Sequence, residues 1–103
     1  MTTLADTVGQ ALEDAALKRS EAELFKARAK RIYSELVIRG EGKSIAEREH
    51  WARQEARYVE AEEKALAAAS DANLAEARAD HWRLRFEEWR SLNATNRAQM
   101  NLR

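Results

Sequence analysis

The segment Arg39-Gly40-Glu41-Gly42-Lys43-Ser44-Ile45-Ala46-Glu47 contains two of the chain's three glycines. Two glycines in three residues favour the end of a helix, because glycine tolerates the left-handed conformation of many helix caps. Ser44 and Glu47 have the spacing of a capping box, in which each side chain accepts a hydrogen bond from the other residue's amide. The segment therefore predicts that one helix ends at Arg39, that 40–43 form a turn, and that a second helix begins at Ile45.

On both sides of this segment the composition is that of long helices. The chain has 103 residues, no proline and no cysteine, and 35% of its residues are charged. Alanine supplies nearly half of the apolar residues. A sheet would need more turn residues than the chain contains, and the absence of cysteine excludes disulfides. We predict one all-α domain over 1–103, with helix one at about 3–39 and helix two at about 45–96.

Apolar residues recur at alternating steps of four and three in both helices, which is the heptad pattern of a coiled coil. In helix one these positions are Leu4, Val8, Ala11, Ala15, Lys18, Ala22, Phe25, Ala29, Ile32 and Leu36. In helix two they are Trp51, Gln54, Tyr58, Ala61, Ala65, Ala68, Ala72, Ala75, Ala79, Trp82, Phe86 and Trp89. The two rows, called the seams below, predict an antiparallel helical hairpin.

Folding the chain at Glu41 and Gly42 brings seam residues opposite seam residues. The predicted pairs are Ile32 with Trp51, Phe25 with Tyr58, Ala22 with Ala61, Ala15 with Ala68, Ala11 with Ala72, and Leu4 with Ala79. The N-terminus of helix one, at about residue 1, then lies opposite Trp82. Helix two extends beyond this point and leaves Phe86 and Trp89 without a facing residue. Contiguous aromatic residues rarely stay in water. We expect them to be covered by a second copy in a homodimeric helical bundle, or alternatively by a different protein.

Charged residues are distributed unevenly along the chain. Residues 18–31 are basic and 41–63 are acidic, so the two arms of the hairpin are roughly complementary. From Trp82 onwards arginines interleave with the aromatics, and this combination also occurs in proteins that bind single-stranded nucleic acid. The heptad spacing favours packing over base stacking. The candidate interface residues are Trp82, Phe86, Trp89, Arg83, Arg85, Arg90 and Arg97.

Two short motifs partly match the sequence patterns of a phosphate-binding loop and of a di-iron site. Gly40 to Ser44 resembles the end of a phosphate-binding loop, but Val37 stands where that loop needs glycine and a helix precedes it. Glu47 and His50 form a Glu-x-x-His motif, whereas a di-iron site needs two such motifs. Neither motif predicts a cofactor or metal, and no catalytic arrangement is evident, so we expect a protein that is not an enzyme.

Location and bulk charge add little further information. No apolar run is long enough to span a membrane, and the N-terminus lacks the pattern of a signal peptide. We expect a cytoplasmic protein without a membrane partner. The formal net charge is zero, so general attraction to nucleic acid is not expected.

Two segments resemble a group of small phage and prophage coiled-coil proteins. The first is Glu41-Gly42-Lys43-Ser44-Ile45-Ala46-Glu47-Arg48-Glu49. The second is the ending Arg85-Phe86-Glu87-Glu88-Trp89-Arg90-Ser91 followed by Thr95-Asn96-Arg97-Ala98-Gln99-Met100. The likeness covers about 22–103, much of it general helical composition. It implies a bacterial host and a setting among phage recombination and replication functions, with no particular mechanism.

These observations predict a protein that binds a partner in DNA recombination, repair or replication. An inhibitor of host defence, directed against a CRISPR effector or a nuclease, is the first alternative. Direct binding of DNA is the second.

Overall fold

The computed structural model describes residues 2–40, 42 and 44–101 and contains three helices. Helix α1 spans Leu4–Arg39, α2 spans Ile45–Gln54 and α3 spans Ala56–Asn101. Helix α1 packs along α3, which confirms the predicted all-α helical hairpin. The result is a rod of 84 × 26 × 14 Å. No described helix is both long enough and apolar enough to cross a membrane.

The helix starts are fixed by side-chain caps. Thr3 accepts a hydrogen bond from the Asp6 amide while Asp6 accepts one from the Thr3 amide, so α1 begins with a capping box. The Ser44 hydroxyl accepts from the Glu47 amide at 3.2 Å, as predicted. Both caps satisfy amides that have no partner inside the helix.

The glycines of the turn have a different role from the predicted one. No described residue has a positive φ, and the C-cap Gly40 has φ −59° and ψ 138°. A Cβ on Gly40 would lie 3.0 Å from Arg48 Cγ, and one on Gly42 would lie 2.9 Å from Glu47 Cβ. The turn therefore requires glycine because the backbone passes close to the first turns of α2.

Exchanging glycine for alanine at Gly42 and at Gly9 is expected to have opposite effects. At Gly42 the added Cβ meets the backbone of Arg48 at 3.0 Å, so the free energy of unfolding should fall by about 1–2 kcal/mol. At Gly9, inside α1, no atom lies within 4 Å of the added Cβ, and alanine should stabilise by about 0.5–1 kcal/mol. Urea unfolding of both variants measures the difference, and stabilisation at Gly42 would contradict the close packing.

The second predicted helix is interrupted, contrary to the expectation of one helix over 45–96. Glu55 has an extended backbone, with ψ 131°, and ends α2. The amides of Tyr58 and Val59 both donate to its carbonyl at 3.0 Å, so Glu55 also begins α3. Beyond the break α3 continues to Asn101, past the predicted end near Asn96.

The interruption has a cause in the packing of α2. Ala52 is completely buried and Glu55 is half-buried, whereas the predicted seam residue Gln54 is exposed. The buried side of α2 is therefore displaced by one residue from the seam that continues at Tyr58. The backbone break at Glu55 compensates for this displacement, so that the buried side of α3 follows the predicted seam from Tyr58 onwards.

The pairing of α1 with α3 also differs from the prediction. Ala15, predicted to face Ala68, packs with Ala75 and Ala79, and Ala11 packs against the same cluster. Tyr58, predicted to face Phe25, lies 5.3 Å from Tyr33 between ring centroids. The displacement is about two to three helical turns. It arises because the connection between α1 and α3 includes all of α2. Of the predicted turn 40–43, residues 41 and 43 lie outside the described residues.

The core is small and consists mainly of alanine. The buried residues are Ala15, Ala22, Ala29, Leu36, Ala52, Ala72, Ala75 and Ala79. Apart from Ala52, all of these lie on the predicted seams, which confirms the heptad assignment. Small side chains let α1 and α3 approach closely but bury little area in each layer.

Candidate functional site

The last part of α3, Trp82–Asn101, is called the C-terminal arm below. At 1.5 Å per residue α3 is about 69 Å long and α1 about 54 Å. With Arg19 next to Asn73 and Glu76, antiparallel pairing brings Leu4, the first residue of α1, close to Trp89. From Trp89 to Asn101 every residue is exposed except the half-buried Asn93. The N-terminal end of α1 therefore lies beside the middle of the arm.

This geometry corrects the predicted point at which α1 stops covering α3. The prediction placed the N-terminal end of helix one opposite Trp82, which would leave Phe86 uncovered. In the structure Trp82 and Phe86 are both half-buried. Trp89 has 51% of its surface exposed, and Leu92 and Met100 expose 59% and 73%. The exposed apolar surface thus begins one to two turns later than predicted.

The aromatic side chains of the arm make two separate ring contacts. The rings of Phe86 and Trp89 stack at 5.9 Å between centroids, with an angle of 26° between their planes. Trp82 makes an edge contact with His81 at 5.4 Å. The guanidinium carbon of Arg85 lies 6.0 Å from the Trp82 ring centroid, within the range of a cation–π interaction.

The heptad pattern gives every residue of the arm a position from a to g, with a and d in the seam. Phe86, Asn93 and Met100 occupy a, while Trp82, Trp89 and Asn96 occupy d. The arginines occupy only the two flanking positions: Arg83, Arg90 and Arg97 are at e, and Arg85 is at g. Glu87 and Glu88, the two acidic residues of the arm, are at b and c. Basic charge therefore borders the seam, and acidic charge lies away from it.

The four predicted arginines have different surroundings. Arg83 donates to Asp80 one turn earlier at 2.8 Å, and Arg85 contacts Trp82. Arg90 and Arg97 are exposed and form no ion pair with any residue that the structure describes. Arg90 also borders an open depression of about 410 Å³ together with Glu87, Ser91 and Ala94. Two cations are thus available to an incoming molecule.

Two flanking contacts of the hairpin join opposite charges, whereas Arg28 and Lys64, both at g, line one depression with like charges. Arg19 at position e of α1 binds Glu76 at position e of α3, at 2.7 Å. Glu35 at position g of α1 lies 3.5 Å from Arg57 at position g of α3. Such e–e and g–g contacts are expected where two coiled-coil helices run antiparallel. Glu76 is one heptad before Arg83, so the same edge of α3 changes from acidic to basic where the arm begins.

The Arg19–Glu76 pair should make stability depend on pH. The hydrogen bond from Arg19 holds the pKa of Glu76 below its ordinary value of 4.5. Because the pKa is lower in the folded state, the pair stabilises the fold above pH 4.5 and this contribution disappears as the pH falls through the lowered value. We expect the stability difference between the wild type and Arg19→Gln to shrink below pH 4.5.

Urea unfolding at neutral and acidic pH measures this difference. Arg31→Gln is the matched control, since Arg31 is exposed on the same helix and forms no ion pair among the described residues. A constant difference between Arg19→Gln and the wild type at all pH values would contradict the assignment.

A groove between α1 and α3 is a feature that sequence reasoning missed. Its cavity of about 590 Å³ has an alanine floor that includes Ala22, Ala29 and Ala65, with Leu66 at the edge. Tyr33 and Tyr58 border the groove, and burial raises the pKa of Tyr58. The sequence signal for this groove was the run of alanine at seam positions, because alanine leaves space that larger side chains would fill.

Of the two motifs that suggested other chemistry, the one at 40–44 lies partly outside the described residues, and in the Glu-x-x-His motif His50 contacts a neighbouring side chain of its own helix. His50 Nε2 lies 3.2 Å from the Gln54 amide nitrogen, one turn later in α2. Among residues 2–40, 42 and 44–101, no three His, Cys, Asp or Glu side chains converge to hold a metal ion.

Comparison with known proteins gives no relative for this surface. No family model, curated protein or solved structure matches the chain. Any functional assignment therefore depends on the residues themselves.

Proposed function

We propose that the chain is a non-enzymatic interaction protein that binds a helical partner protein through its C-terminal arm. The observation that carries this proposal is the exposed continuation of the heptad seam beyond the start of α1. The seam residues Trp89 and Met100 are each more than half exposed there, and so is Leu92 at the flanking position g. In the rest of α3 the seam is covered by α1, so the arm has the surface of a coiled coil that lacks one helix.

The setting we propose is phage DNA recombination, repair or replication in the cytoplasm of a bacterial host. The resemblance of the turn and of the ending to phage coiled-coil proteins supports this setting. An inhibitor of a CRISPR effector or nuclease would use the same surface, so these two functions differ in the partner and not in the mechanism of binding. A homodimer formed through the arm is the alternative occupant.

Affinity capture from phage-infected and uninfected bacterial lysates tests the proposal. The arm variant is the double substitution Phe86→Ala with Trp89→Ala. The matched control is Leu17→Ala with Leu24→Ala, because these leucines on α1 are 70% and 58% exposed and lie outside the arm. We expect the wild type and the control to capture the same partner and the arm variant to lose it.

The identity of the captured protein separates the two settings. A recombination or replication protein supports the first, and a defence nuclease supports the second. Capture of the same proteins by all three forms of the chain would show that the arm is not the binding surface.

Direct DNA binding is the second candidate, favoured by the exposed Arg90 and Arg97 beside a stacked aromatic pair. Contacts with phosphates release counterions, so binding to a labelled oligonucleotide should weaken steeply with salt. Absence of binding at low salt would eliminate this candidate.

A further inference from the structure

We infer that the partner of the C-terminal arm is an acidic amphipathic helix, with apolar residues at its heptad seam and Glu or Asp at the flanking e and g positions. This inference rests on the proposed function and specifies the chemistry of the partner.

The first argument is the distribution of charge around the arm. Its four arginines lie only at e and g, the positions that meet the flanks of a neighbouring coiled-coil helix. Its two acidic residues, Glu87 and Glu88, lie at b and c and point away from such a neighbour. A helix packed on the exposed part of this seam would therefore meet Arg90 and Arg97 along the e edge and the uncharged Leu92 and Gln99 along the g edge. Carboxylates that face the e edge would be stabilising.

The second argument is that the chain contains two flanking ion pairs of this kind. Where α1 covers α3, the e–e pair is Arg19 with Glu76 and the g–g pair is Glu35 with Arg57. Both pairs join opposite charges. By analogy with the Arg19–Glu76 pair, the exposed e-position residues Arg90 and Arg97 would pair with acidic residues on the helix that faces them.

The third argument concerns a second copy of the chain as the occupant. Two arms packed antiparallel would bring e positions together, so that arginine would face arginine. Like charges at these positions are unfavourable, which disfavours antiparallel pairing of arm with arm.

The fourth argument concerns nucleic acid. Phe86 and Trp89 stack on each other and Phe86 is half-buried, so this pair does not leave a gap for a base. Glu87 and Glu88 lie next to the same rings in the sequence and would repel phosphates. An acidic helix can approach along the e and g edges without meeting either carboxylate.

The seam also constrains which residues the partner presents. Asn93 at a and Asn96 at d interrupt the apolar row between Trp89 and Met100. A polar residue in a seam favours a register in which it meets another polar residue. The partner helix should therefore carry an Asn or Gln opposite this point and apolar residues on both sides.

Two synthetic peptides provide the test. Both are fluorescein-labelled helices of three heptads with leucine at the seam and one central Asn, and they differ only in carrying Glu or Lys at e and g. Fluorescence anisotropy with the full chain measures their affinities. We expect the Glu peptide to bind about tenfold more tightly than the Lys peptide, and we expect added salt to reduce this preference.

Charge reversal makes the test specific. In the double variant Arg90→Glu with Arg97→Glu the preference should change to the Lys peptide. The control Lys26→Glu with Arg31→Glu changes the net charge by the same amount on α1 and should keep the preference for the Glu peptide. Circular dichroism of each variant establishes that its helices remain folded.

Several results would overturn the inference. These are equal binding of the two peptides, binding of neither, or tighter binding of a single-stranded oligonucleotide than of the Glu peptide. A dimer in light scattering that dissociates in Trp89→Ala would identify a second copy as the occupant and would also overturn it. If the peptides fail while arm-dependent capture from lysate succeeds, only the acidic partner is wrong, whereas loss of arm-dependent capture removes the proposed function itself.

Discussion

Replacing Leu36 by alanine is expected to lower the free energy of unfolding by about 2–3 kcal/mol. Leu36 is 8% exposed and is the one large side chain among the buried residues that the structure describes. It lies near the end of α1, next to Glu35, whose carboxylate pairs with Arg57 at the start of α3. Its removal leaves a cavity where α1 and α3 meet nearest the turn, and the alanine layers elsewhere cannot compensate.

Ile38→Ala is the control for this prediction. Ile38 lies two residues later in the same helix and is 79% exposed, so its substitution should change stability by less than about 0.5 kcal/mol. Chemical unfolding followed by circular dichroism measures both variants. Equal losses at the two positions would mean that α1 does not bury Leu36 against the rest of the hairpin.

Replacing Ala75 by leucine is expected to destabilise the hairpin by about 1–3 kcal/mol through overpacking. Ala75 is 3% exposed and packs with Ala15 and Ala79 in a buried cluster between α1 and α3. The three additional carbons of leucine have no space there unless α1 and α3 move apart, and such a movement would weaken the neighbouring alanine layers.

Ala77→Leu is the matched control, because Ala77 is exposed on the same helix only two residues away. Both alanine and leucine are good helix formers, so this variant should remain close to the wild type in unfolding experiments. Stabilisation by Ala75→Leu would contradict the close alanine packing, since it would reveal unfilled space in the seam.

Much of this fold could be predicted from local signals in the sequence. The cap at Ser44 identifies the start of the second half of the hairpin, and the heptad row of apolar residues identifies the buried face of both halves. The break at Glu55 has no such signal, because neither glycine nor proline is present there. It follows from the burial of Ala52, and this burial depends on how α2 packs against the other two helices.

The alignment of α1 along α3 could not be predicted, for a physical reason. Ala15 meets an alanine whether it faces Ala68, as predicted, or packs with Ala75 and Ala79, as observed. Sliding one helix by a heptad exchanges alanine for alanine, so hydrophobic pairing hardly discriminates between these alignments. The longer connection through α2 and the Arg19–Glu76 ion pair discriminate between them, and both are evident only in three dimensions.

The predicted residues of the candidate surface lie at the heptad positions expected for them, but their exposure differs from the prediction. Trp82, Phe86 and Trp89 lie on the seam as expected, and Arg83, Arg85, Arg90 and Arg97 flank it. Because α1 reaches further along α3 than predicted, Trp82 and Phe86 are half-buried and the exposed part begins at Trp89. Leu92 and Met100 were not among the predicted residues, although both extend the exposed apolar surface.

Hydrogen exchange along α3, measured at two protein concentrations, tests most directly whether the arm is an uncovered helix. Isolated helices of fewer than about 12–15 residues are marginal in water. We therefore expect slow exchange around Ala72–Ala79, a decrease in protection near Trp89, and fast exchange up to Asn101 at both concentrations. Protection of 90–101 equal to that of Ala72–Ala79, or protection that rises with concentration, would show that the arm is already covered and would contradict the account.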